Sequence, residues 1–83
     1  MAARRIATYQ VKENDYERSF PNKVVFSVER HKAIHNELVD WLNKGNDARG
    51  TYYIDLTGID GLYAVMYAFQ DYGTAFYVKM KYA

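Results

Sequence analysis

The spacing of apolar residues changes period along the chain, and each change marks an element. Residues 4–12 (RRIATYQVK) alternate, with Ala7, Tyr9 and Val11 on one side and Ile6, Thr8, Gln10 and Lys12 on the other. Period two in a stretch rich in β-formers predicts a strand. Residues 13–22 (ENDYERSFPN) are polar and end in Pro-Asn, so they predict a loop, with Tyr16 and Phe20 folding back over the core. Residues 23–29 (KVVFSVE) predict a second strand, in which Val24, Phe26 and Val28 oppose Val25, Ser27 and Glu29. At residue 30 the period becomes helical. Ile34, Leu38, Trp41 and Leu42 form one stripe in RHKAIHNELVDWLNKG. Gly45 in a left-handed conformation is the expected stop, and Lys44 suits the negative end of the helix dipole.

The second half repeats the pattern. Residues 51–57 (TYYIDLT) predict a strand with Tyr52, Ile54 and Leu56 opposite Tyr53 and Asp55. Leu62, Val65, Met66 and Phe69 stand at i, i+3, i+4 and i+7, so residues 61–70 predict a helix, capped by Thr57 or Asp60 and ended by Gly73. The residues YAVMYAF also suit a strand; the period and the flanking glycines decide for helix. Residues 74–82 (TAFYVKMKY) alternate and predict a last strand, with Phe76, Val78, Met80 and Tyr82 inward and Tyr77, Lys79 and Lys81 outward.

The predicted order is β-β-α-β-α-β. The first two strands pair as a hairpin. The third and fourth become parallel through a right-handed crossover. One apolar stripe per helix puts both helices on one face of a four-stranded mixed sheet. The expected fold is therefore α+β, a two-layer sandwich and a ferredoxin-like variant.

Size and charge narrow the function classes. The 83 residues make one domain, residues 1–83, with nearly half its residues apolar and a net charge of +1. That balance demands no nucleic acid and does not suit an acidic mimic of DNA. Cysteine is absent, which excludes disulfides and thiol chemistry. The N-terminal arginines precede no apolar run, and no stretch reaches the length of a membrane span, so the expected place is the cytoplasm, with no membrane contact.

Candidate chemistry is sparse. His31 and His35 share a helix face, but a third metal ligand at helical offset is missing, so a solvated face is the better reading and no metal or other cofactor is expected. Asp55 lacks a second titratable partner for acid–base work. Ser19 and Ser27 have no nucleophile elbow around them, and the glycines of GTYYIDLTGIDG lack phosphate-loop spacing. No enzyme is expected. The surplus is aromatic: nine tyrosines in a small chain. Tyr53, Tyr63, Tyr67 and Tyr77 exceed what one thin core can hide, and tyrosine suits interfaces. They are the candidate partner-binding residues, for a homodimer or another protein. The alternative is single-stranded nucleic acid on an open sheet face, with Tyr53 and Tyr77 stacking bases and Lys12, Lys79 and Lys81 following phosphates.

In its size, its lack of cysteine and its terminal unit TYYIDLTGIDGLYAVMYAFQDYGTAFYVKMKY, the chain resembles the small single-domain α/β accessory proteins of tailed bacteriophages, anti-CRISPR and host-takeover factors among them. The resemblance implies a stoichiometric binder or inhibitor of one host protein. It assigns no residue a role.

Overall fold

A computed structural model describes residues 2–8, 11, 18–45, 47–59 and 62–83. Tyr9, Gln10, Lys12, Tyr16 and Asp60, given strand, loop and cap positions above, lie outside the described residues. The elements are β1 (Arg4–Arg5), β2 (Asn22–Ser27), α1 (Val28–Lys44), β3 (Thr51–Ile59), β4 (Leu62–Phe69) and α2 (Tyr72–Tyr82). The fold is α+β, with one four-stranded mixed sheet in the order β1-β3-β4-β2.

The order is thus β-β-α-β-β-α, and the predicted β-β-α-β-α-β is corrected in the last two elements. Residues 62–69 form a strand instead of a helix. They pair antiparallel with β3 from Tyr52↔Phe69 to Ile59↔Leu62, and with β2 from Asn22↔Phe69 to Ser27↔Ala64. The physical reason is position. β4 is an interior strand covered on both faces, so apolar residues fill both parities and the alternation that marks a half-buried strand is lost. No parallel crossover joins β3 to β4; they form a hairpin.

Residues 74–82 are correspondingly helical. The Asp71 carboxylate caps α2 by accepting from the Thr74 N–H at 2.8 Å and the Thr74 hydroxyl at 2.7 Å. Thr74 is fully buried, and its hydroxyl oxygen also accepts from the Arg49 N–H at 2.9 Å, which ties α2 to the turn before β3. Ala75, Val78 and Tyr82 turn inward at helical spacing, while Phe76 and Met80, assigned to the core by alternation, stand exposed.

Three smaller corrections concern the first half. The first strand spans two residues and pairs parallel with β3, so it forms no hairpin with β2; the two lie at opposite edges of the sheet. Val28 and Glu29 open α1, because the Ser27 hydroxyl accepts from the Arg30 N–H at 3.1 Å and starts the helix there. Gly45 follows α1 with φ −66°, and the left-handed glycine is Gly50 at φ 77°. Glycine is nonetheless required at position 45, since a Cβ there would meet the Trp41 carbonyl oxygen at 2.5 Å.

The main core lies between the sheet and both helices. Val24 and Phe26 of β2, Val65, Tyr67 and Phe69 of β4, and Tyr52 of β3 meet Ile34, Leu38 and Leu42 of α1 and Val78 and Tyr82 of α2. On the other face Val11 and Phe20, with Ile6 beside them, cover Tyr53, Ala68 and Met66. The two helices lock together where Trp41 stacks on Tyr77 at 4.2 Å between centroids and the Arg30 guanidinium donates to the Tyr82 carbonyl at 2.8 Å. One buried polar atom among the described residues lacks a partner, the Tyr82 hydroxyl. A buried hydroxyl without a hydrogen bond opposes folding. Tyr82→Phe is therefore expected to leave stability unchanged or raise it by about 1 kcal/mol, by urea unfolding; a loss of that size would show the hydroxyl to be satisfied.

Candidate interaction surfaces

The four tyrosines singled out in the sequence separate into three environments. Tyr53 and Tyr67 are 1% and 0% exposed. Tyr53 lies edge-on to Phe20 at 5.1 Å. Tyr67 lies edge-on to Phe26 at 5.7 Å and stacks beside Tyr52. Both were expected at the surface. They are core residues because β3 and β4, the inner strands, are covered on both sides. Tyr77 is half-buried against Trp41, and Lys81 donates to its hydroxyl at 3.3 Å. Tyr63 is 75% exposed.

The open sheet face expected for nucleic acid is not assembled. Tyr53 is covered, Lys12 lies outside the described residues, and Tyr77, Lys79 and Lys81 sit on α2. The lesser candidates are occupied locally. Ser27 caps α1, and the exposed Asp55 carboxylate accepts from the next N–H. His31 and His35 meet edge-on at 5.1 Å, and His31 Nε2 lies 2.7 Å from the Tyr67 hydroxyl. Among the described residues no cluster of three His, Asp or Glu side chains could hold a metal ion. No described helix is long and apolar enough to cross a membrane.

Exposed apolar surface gathers instead in two places. At one end of the sheet, β2 stops at Ser27, opposite Ala64, whereas β3 and β4 continue together to Ile59↔Leu62. This two-stranded arm outruns β2. Tyr63 shares the parity of Tyr67 and lies on the helix side of the arm, and Leu62 points to the other side; Leu56, on the helix side too, is paired with Val65 opposite Phe26 and so precedes the arm on β3. Leu56 and Leu62 are 65% and 73% exposed. The second place is the outer face of α2, where Tyr72, Phe76 and Met80 recur every four residues. Tyr72 and Phe76 stack at 6.0 Å. Leu62, Phe76 and Met80 had been assigned to the core by the wrong period. The signal available was Asp60-Gly61, a dipeptide favoured in two-residue hairpin loops, between two runs of β-formers.

No family model, curated protein or solved structure matches the chain.

The electrostatics of the core give a pH test. Burial pushes the Tyr67 phenol up to about 12, so it stays protonated at neutral pH. Burial, with a contribution from His35, lowers His31 below its ordinary value. A lowered histidine means that the unfolded chain binds the proton more readily. His31 therefore favours folding fully above the unfolded pKa near 6.5, and that contribution is lost as pH falls through the lower folded value. Stability should decline on acidification from about pH 7 to below 6, and His31→Gln should remove that decline. Denaturant midpoints against pH read it; an unchanged slope in the variant contradicts the assignment.

Proposed function

We propose that this chain is a non-enzymatic protein-binding domain, acting stoichiometrically through the apolar β3–β4 arm. The observation that carries the reading is the exposure of Leu62 and Tyr63 where β3 and β4 extend past β2, with exposed Leu56 beside them on β3. Large apolar side chains grouped on a projecting element mark contact sites in small proteins, and tyrosine and leucine there supply area that burial converts into affinity. The partner is a second copy or a host protein. The host-protein case, in the cytoplasm, follows the resemblance to phage accessory proteins.

The run β2-α1-β3-β4-α2 follows the first five elements of the β-α-β-β-α-β order, with β4 lying between β2 and β3. This supports reading the domain as a ferredoxin-like variant with β1 added beside β3. Single-stranded nucleic acid ranks behind protein as the partner, because the stacking platform it needs is not assembled among the described residues.

The triple substitution Leu56→Ser, Leu62→Ser and Tyr63→Ser tests the reading. These side chains are exposed, so each should alter stability by no more than about 0.5 kcal/mol. The variant should fold normally and lose self-association in light scattering or the capture of the partner retained by the parent chain after nuclease treatment. A folded variant with unchanged assembly and capture overturns the reading.

A further inference from the structure

We infer that a second copy of this chain docks on the outer face of α2, antiparallel and about a two-fold axis, which leaves the arm to a different protein. The face is a single ridge. Tyr72, Phe76 and Met80 stand at i, i+4 and i+8, and each is more than half exposed. The row is held in place within one copy. The Asp71 carboxylate caps the first turn, Ala75, Val78 and Tyr82 anchor the opposite side of the helix, and Tyr72 stacks on Phe76 at 6.0 Å. Large apolar side chains grouped on one helix face mark a contact site, and aromatic rings give contact area at low entropic cost.

The spacing selects the occupant. In a two-fold contact, residue i of one copy meets residue j of the other, and j meets i. A ridge with equal steps on either side of Phe76 satisfies this when the helices run antiparallel. Phe76 meets Phe76, and Tyr72 meets Met80 in both halves, a ring against a thioether. The ridge also has a groove to enter. Phe76 and Met80 border a groove of about 610 Å³ that Gly73 and Tyr77 also line. Gly73 has no side chain to fill it, and a Cβ there would meet the Asp71 carboxylate at an ordinary 3.4 Å. Helix ridges pack into such grooves. Charge agrees with the direction. Among the described residues lining this groove, Asp47 and Asp71 outnumber Arg49, and Asp71 and Gly73 mark the N-terminal end of α2. Exposed Lys79 stands beside Met80 in the last turn. Antiparallel contact brings Lys79 of each copy toward Asp47 and Asp71 of the other and opposes the two helix dipoles. Two rings of roughly 150–250 Å² and a methionine, each more than half exposed, supply about half of the 800 Å² or so per copy of a standard interface. A contact of that size makes a weak dimer, with a dissociation constant of roughly 1–100 μM.

Sedimentation equilibrium of the full chain against concentration tests the proposal. A monomer–dimer equilibrium in the micromolar range is expected. Phe76→Glu should raise the dissociation constant at least about tenfold. If that variant does not fold, Met80→Glu, at a more exposed position, decides. Lys79→Glu should weaken the dimer, and adding Asp47→Lys should restore it, because both exposed charges are then reversed in each copy. The arm variant with Leu56→Ser, Leu62→Ser and Tyr63→Ser should dimerise as the parent does, so failure of the arm reading and failure of this one are distinguishable. A chain that stays monomeric at millimolar concentration overturns the proposal. So do a dimer indifferent to both ridge substitutions, a dimer abolished by the arm variant, and a Lys79→Glu defect that Asp47→Lys does not rescue.

Discussion

Tyr67 is the side chain on which the arrangement depends. It sits at the middle of the interior strand β4, fully buried, with Phe26 of β2 edge-on, Tyr52 of β3 stacked alongside and Phe69 of its own strand next to it. Its hydroxyl reaches His31 on α1. One residue thereby fixes the register of three strands and the seat of a helix. A slip of β4 by one position would turn Tyr67 to the opposite face and leave its hydroxyl in the pocket of Phe20 and Val11. The cost of an unpaired buried hydroxyl, about 1–3 kcal/mol, adds to the loss of the aromatic contacts.

How much of this the sequence discloses depends on whether an element has a wet side. α1 does. Its stripe of Ile34, Leu38, Trp41 and Leu42 is legible: Ile34, Leu38 and Leu42 are buried, and Trp41 is partly buried against Tyr77. β2 does too, with Val24 and Phe26 inward. β4 has no wet side over most of its length, so LYAVMYAF carries no period of its own and its i, i+3, i+4 matches are accidental. α2 misleads for the opposite reason. Its outer face is apolar, so the residues that should reveal the helix by being polar are Tyr72, Phe76 and Met80. The Asp71–Thr74 cap is the local feature that identifies it. Correcting the last two elements changes the environment of most of the candidate residues. Tyr53 and Tyr67 go inward, Lys79 and Lys81 leave the sheet for a helix, and of the four tyrosines Tyr63 keeps the exposed position it was given.

The same construction that buries the middle of the sheet leaves its margins unfinished. Two helices and a short N-terminal cover suffice for the inner strands. Among the described residues they leave the side chains at the far end of the β3–β4 hairpin exposed. Exposed apolar side chains collect on the arm and on the outer face of α2. In an 83-residue chain these are large features relative to the core, and they cost solubility. Under the proposed function, contact with another protein gives the arm its use.

The central claim is that residues 62–69 form the innermost strand, held by Tyr67, and that residues 72–82 form a helix. Amide hydrogen exchange followed by NMR, with carbon chemical shifts recorded on the same sample, tests it most directly. Extended shifts are expected across Leu62–Phe69 and helical shifts across Tyr72–Tyr82, with the slowest exchange at Val65, Tyr67 and Phe69, opening only with global unfolding. Helical shifts across Leu62–Phe69, or exchange there faster than in the exposed turns of α1, would contradict the account.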